Sequence, residues 1–151
     1  MIINNAILDD LTAAAKASPR LRMNLDLRNS PDDGSQRMLN AIEPGSELPI
    51  HRHLGSSETV VCLRGRLLVE FYDEAGKMCG EAVELSPTGP VYGLNIPAGQ
   101  WHTAHALESG TCLLECKDGK WEPLGEGVVM AVPVRMREGG CKFVEKSATC
   151  D

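Results

Sequence analysis

The sequence predicts an all-β protein, an antiparallel sandwich or barrel, preceded by one short helix. Three observations carry that expectation. From residue 21 onward, short apolar runs separated by turn signals recur about every dozen residues, the spacing of a sandwich or barrel rather than of alternating helices and strands. The stretch 21–28, LRMNLDLR, alternates as a half-buried strand must: Leu21, Met23, Leu25 and Leu27 fall on one face, Arg22, Asn24, Asp26 and Arg28 on the other. Helical periodicity is confined to a single place near the N-terminus.

That place is 6–17, AILDDLTAAAKA, where Ile7, Leu8, Leu11 and Ala15 share a stripe. Ser18-Pro19 stops it, because the residue before proline is pushed out of the helical region. After the first strand, SPDDG at 30–34 reads as a turn and QRMLNAIE at 36–43 resumes a strand. ETVVCLR (58–64) and RLLVEFY (66–72) flank a single Gly65, which predicts a tight reversal, and DEAGK at 73–77 is another turn. Further strands are expected at 80–85, 91–96, 101–107 and 110–116. The resulting organisation is a helical segment at 1–18, one barrel at 19–134 and a polar tail at 135–151.

Composition narrows the class. A chain of 151 residues suits one domain and buries most of its apolar surface without help from disulfides or metal. Of six cysteines, Cys62, Cys112 and Cys116 sit inside apolar strand-like runs, where a thiol behaves as a small buried hydrophobe rather than part of a disulfide framework. MIINNAILDDL carries acids where a secretory leader needs basic residues. No apolar run approaches the roughly 18 residues needed to cross a bilayer. The expectation is therefore a soluble cytoplasmic protein of a reducing compartment, with no membrane partner. A net charge of −6 without a basic patch argues against nucleic acid as a partner.

Chemistry concentrates in GSELPIHRHLGSSETVVCLRG, residues 45–65. In a strand, residues i and i+2 share a face, so His51 and His53 point one way and Arg52 the other. After the short loop LGSS, Glu58 re-enters a strand, sharing a face with Val60 and Cys62. In NIPAGQWHTAHAL a Pro-x-Gly turn immediately precedes Trp101 and His102. Three imidazoles and one carboxylate form a nitrogen-rich donor set suited to Fe, Mn, Zn, Ni, Cu or Co and poorly suited to Ca or Mg. His105, three residues after His102, falls on the opposite strand face and reads as a surface residue. Cys112, Cys116 and Cys62 read as core filler, although Cys62 shares the face of Glu58.

These residues resemble the cupin family. Gly45, His51, His53, Glu58 and Gly65 match the cupin first motif with its spacing, and Pro97, Gly99 and His102 match the second. Two positions depart from the pattern: Ala106 stands where the second motif usually ends in asparagine, and Gly93 lies too near Pro97 to be that motif's opening glycine. Neither touches a ligand position. The resemblance implies a jelly-roll antiparallel β-barrel holding one metal ion on His51, His53, Glu58 and His102. It also implies a homodimer, since cupins often associate through exposed sheet edges. A wider likeness runs through about residues 7–133, including ASPRLRMNLDLRNSPDDGSQRMLNAIEPGSELPIHRH, LRGRLLVEFYDEAGK and IPAGQWHTAHALESGT. It is similar to the WbuC-type cupin fold metalloproteins of bacterial lipopolysaccharide and O-antigen gene clusters, which implies a pathway context without supplying a reaction.

Arg22, Asn24, Arg37 and Asn40 read either as a solvated face or as a barrel mouth offering guanidinium to a carboxylate or phosphate. Trp101 and Tyr92 are candidates for an apolar wall against a sugar ring. Tyr92 and Glu115 are the candidate acids or bases outside the ligand set. Three functions follow as expectations. The first is a metal-dependent isomerase, epimerase or lyase acting on a sugar or sugar derivative in cell-surface polysaccharide metabolism. The second is an Fe(II) dioxygenase of a small chelating substrate, and the third a non-catalytic metal-containing protein that binds a small molecule.

Overall fold

The computed structural model describes residues 1–130. The expected tail at 135–151 and the last residues of the expected barrel lie outside the described residues. One helix, α1 (Asn5–Ala17), opens the chain. The Asn4 side chain accepts a hydrogen bond from the Ile7 amide at 3.2 Å, satisfying one of the unpaired amides of the first turn. Extended backbone at Ser18, ahead of Pro19, ends the helix. Leu8, Leu11, Thr12 and Ala15 form its buried stripe.

Among the described residues, eight strands follow: β1 (Arg22–Asp26), β2 (Ser35–Ile42), β3 (Glu58–Arg64), β4 (Leu67–Tyr72), β5 (Val83–Leu85), β6 (Gly93–Ile96), β7 (Trp101–Ala106) and β8 (Thr111–Asp118). They make a five-stranded sheet, ordered β1-β2-β8-β3-β6, and a three-stranded sheet, ordered β5-β4-β7, with every pair antiparallel. The two sheets face each other as a jelly roll. The class and the single leading helix are those the sequence predicts.

Strand alternation splits the apolar residues between two cores. Val60, Cys62, Leu67, Val69, Phe71, Leu85, Ile96 and Leu113 pack between the sheets. Leu39, Ala41 and Cys112, on the other face of the larger sheet, pack against Leu8, Leu11 and Ala15 of α1. The helix therefore covers a sheet face that would otherwise be wet, while the opposite face is left to line the barrel. Arg64, at the end of β3, ties α1 down: its guanidinium donates to the Leu8 carbonyl at 2.8 Å, to Thr12 Oγ1 at 2.6 Å and to Asp9 Oδ1.

Two local features differ from the sequence expectation. Residues 47–57 form no regular strand; only His51 makes bridges, to His102 and to Val129. Pro49 has no amide to give to a ladder, which keeps this segment irregular. Cys79 is disulfide-bonded, where the sequence reading expected reduced thiols. It sits half-exposed beyond β4, whereas the free thiols Cys62, Cys112 and Cys116 belong to strands. Among the described residues, no helix is long and apolar enough to cross a membrane.

Candidate metal centre

The sheets meet at one cluster. Glu58 begins β3 in the larger sheet, and His102 is the second residue of β7 in the smaller one. His51 is pinned beside His102 by reciprocal backbone hydrogen bonds of 2.9 Å, and the His53 carbonyl accepts from Gly99 at 2.8 Å. One ligand atom from each of His51, His53, Glu58 and His102 lies within 4.8 Å of the others, a set that can hold a metal ion. The imidazole centroids are 4.4 Å apart for His51–His102 and 5.0 Å for His51–His53.

Tautomers decide what this cluster needs. His51 Nδ1 lies 3.1 Å from the Pro49 carbonyl and His102 Nδ1 lies 2.9 Å from the Gln100 carbonyl. A carbonyl only accepts, so both Nδ1 atoms carry the proton and both Nε2 atoms turn lone pairs inward. Burial, and then the nearby His102, push the His51 pKa down to about 4, so that ring is neutral at ordinary pH. Burial alone would raise the Glu58 pKa. Hydrogen bonds from the His102 and His53 rings in their protonated forms, 3.4 and 3.0 Å from Oε2, and the charge of Lys117 outweigh burial and hold the Glu58 pKa well below the usual range, favouring the anion. Glu58 Oε2 is buried with no hydrogen-bond donor among the described residues. Converging lone pairs around an unsatisfied carboxylate oxygen repel one another unless a cation sits among them. The residues therefore fit a divalent transition metal, with nitrogen donors favouring the Fe-to-Zn series.

The cluster opens on a cavity of about 350 Å³. Val60, Leu67, Val69, Ile96 and Leu113 give it an apolar wall, and Asn24, Asn40 and Glu115 a polar one. Glu115 is oriented from both sides: Asn40 Nδ2 donates to Oε2 at 3.2 Å and Lys117 Nζ to Oε1 at 2.6 Å. Burial and the neighbouring Glu58 charge push the Glu115 pKa up. Lys117 also reaches His53 Nε2 at 3.3 Å and lies 3.9 Å from Glu58 Oε1.

Of the residues singled out in the sequence, the structure brings Arg22, Asn24, Asn40 and Glu115 to the cavity with His51, Glu58 and His102. It places Arg37, Tyr92 and Trp101 elsewhere. Arg37 is on the helix side of β2 and pairs with Asp33 at 2.8 Å. Tyr92 is 61% exposed. Trp101 precedes His102 and so points away from the cavity; its Nε1 donates to Glu74 at 3.1 Å and the Arg52 guanidinium lies 4.2 Å above its ring. His105 also faces outward, 3.1 Å from Glu70. Cys62 packs in the inter-sheet core, where burial pushes its pKa up to about 11. Lys117, Arg20 and Trp121 were missed. No short-range pattern in the sequence marks any of the three; Lys117 is placed by the β3–β8 pairing that sets it opposite Glu58.

Comparison with solved structures supports the fold. KdgF from Halomonas sp. matches at 21% identity and a TM-score of 0.52, over 69% of this chain and 84% of that one. Oxalate oxidase in complex with the substrate analogue glycolate matches at 15% identity and TM-score 0.57, over 73% of this chain and 57% of that one. Oxalate decarboxylase from Bacillus subtilis matches at 20% identity and TM-score 0.51, over 68% of this chain. The chain spans only 26% of that last protein, and at these identities the likeness is one of cupin fold alone. No curated protein matches. The model of one family, described as a domain of unknown function (DUF6016), matches residues 3–84, more than half of the chain. The chain thus belongs to the DUF6016 family, and its fold is a cupin barrel with a cluster able to hold one metal ion.

Proposed function

We propose that this protein is a metal-dependent enzyme that rearranges or eliminates within a small sugar derivative, by isomerase, epimerase or lyase chemistry. The observation that carries the reading is the continuity of the four-ligand cluster with a cavity that is apolar on one wall and polar on the other. When bound on His51, His53, Glu58 and His102, the ion supplies Lewis acidity to a carbonyl or hydroxyl oxygen. Asn24 and Asn40 offer hydrogen bonds to hydroxyl groups. Glu115 supplies the proton-handling carboxyl: burial and the Glu58 charge raise its pKa and favour its protonated form, and Asn40 and Lys117 fix its two oxygens. The apolar wall keeps bulk water from competing at the carboxyl. A place in cell-surface polysaccharide metabolism rests on the sequence resemblance alone.

The test is metal content by mass spectrometry on untagged protein, beside a His51→Ala/His53→Ala variant. About one equivalent of Mn, Zn, Co or Ni in the wild type and less than a tenth in the folded variant is expected. No metal after reconstitution would sink the reading. Iron, together with substrate-dependent oxygen uptake, would replace it with dioxygenase chemistry.

A further inference from the structure

Two arginines line the cavity that holds the ligand cluster. Seven arginines lie among the described residues. Five pair with carboxylates: Arg28 with Asp26, Arg37 with Asp33, Arg52 with Glu74, Arg64 with Asp9 and Arg66 with Glu84. The other two, Arg20 and Arg22, form no ion pair among the described residues, and both line the cavity that holds the ligand cluster. Arg22 Nη1 donates to the Glu47 carbonyl at 2.6 Å and to Ser46 Oγ at 3.3 Å. That anchors one corner of the guanidinium and leaves its remaining donors to an incoming acceptor. Burial and the charge of Arg20 both act against the Arg22 cation, a repulsion that an anion between them would relieve.

Three further observations shape the ligand. Trp121 lines the same cavity while remaining 49% exposed, so an indole face is offered at the mouth. Such a face suits the C–H side of a sugar ring. Inside, Glu58 and Glu115 are set against the single ammonium of Lys117. A divalent ion makes that group net positive whether or not Glu115 holds a proton, so the loaded interior also favours an anion. Finally, about 350 Å³ is near the lower end for small-molecule pockets, room for one ring and not for a nucleotide sugar.

We infer that the cavity takes a single carboxylated sugar ring, its carboxylate on Arg20 and Arg22 and one ring face on Trp121. This rests on the metal-site reading above and adds the substrate class to it. The test is a fluorescence titration of metal-loaded protein with D-glucuronate and D-galacturonate against D-glucose and D-galactose, with metal content measured on the same sample. A saturable change in emission is expected with at least one uronate, with the matching neutral sugar at least tenfold weaker. Trp121→Phe should lose that signal, because the remaining Trp101 lies outside the cavity. Arg22→Met, followed by calorimetry so that Trp121 is not needed as reporter, should weaken the uronate at least tenfold at unchanged metal content. Metal-loaded protein that ignores both uronates, or binds the neutral sugars equally well, would overturn this inference alone. Protein that takes up no metal would instead overturn the earlier one.

Discussion

Lys117 shows how a single side chain can set the strength of the metal site. Its ammonium is buried, 2.6 Å from Glu115 Oε1 and 3.3 Å from His53 Nε2. A buried cation needs such partners, and here one of them is a lone pair that a metal would also use. Lys117 therefore opposes a divalent ion both by occupying His53 and by like charge. Lys117→Met, if folded, should bind Mn or Zn at least tenfold more tightly in a chelator competition, roughly 1.4 kcal/mol. Lys117→Arg should stay within a few-fold of wild type. Weaker binding by folded Lys117→Met would instead assign Lys117 to supporting His53. The ligand-type residues were legible because their spacing is local: His51, His53 and Glu58 fall within eight residues, and a turn signal marks His102. Lys117 was not, because its meaning comes from lying directly across the β3–β8 ladder from Glu58. No short-range pattern reports a cross-strand partner.

At the scale of elements, the reversal between β3 and β4 is closely packed. Gly65 has φ +76°, and a Cβ there would come 2.5 Å from Thr111 Oγ1 and 2.8 Å from Thr111 Cα. Thr111 is fully buried and fixed by bonds to the Glu108 and Arg66 carbonyls, so it has little room to move. Gly65→Ala should cost about 2–4 kcal/mol, from left-handed strain together with overpacking. Gly99 provides the contrast: its φ is +84°, but nothing lies within 4 Å of a Cβ. Gly99→Ala should cost only about 1–2 kcal/mol. Equal losses in urea denaturation would show that the Thr111 contact is not the cause. The same turn explains why much of the strand pattern was legible. Alternation and a lone glycine bounded β3 to the residue, while the strand expected at 80–85 narrows to Val83–Leu85. Alternation reports a buried face; it does not report where the partner strand ends. β5 pairs only through Leu85, Glu84 and Val83, so its length is set by β4.

Across the whole molecule, the ligand cluster draws on three parts of the fold. Glu58 belongs to the five-stranded sheet, His102 to the three-stranded sheet, and His51 and His53 to the irregular segment between β2 and β3. A metal ion bound by these atoms would cross-link the two sheets at this seam. The apolar core between the sheets is large enough to keep the metal-free protein folded, so metal should shift stability rather than create it. A ligand that binds only the native state adds RT ln(1 + [L]/Kd), about 2.7 kcal/mol at one hundred times Kd. Denaturation midpoints of chelator-treated protein should therefore rise with added metal and approach that increment at this ratio. In the His51→Ala/His53→Ala variant they should stay flat. A wild-type midpoint that does not move while dialysis shows metal bound would mean that the unfolded chain holds the ion equally well, through cysteine or histidine side chains that need no fold. The ion would then have no preference for the assembled seam, and the placing of the metal between the two sheets would fail with it.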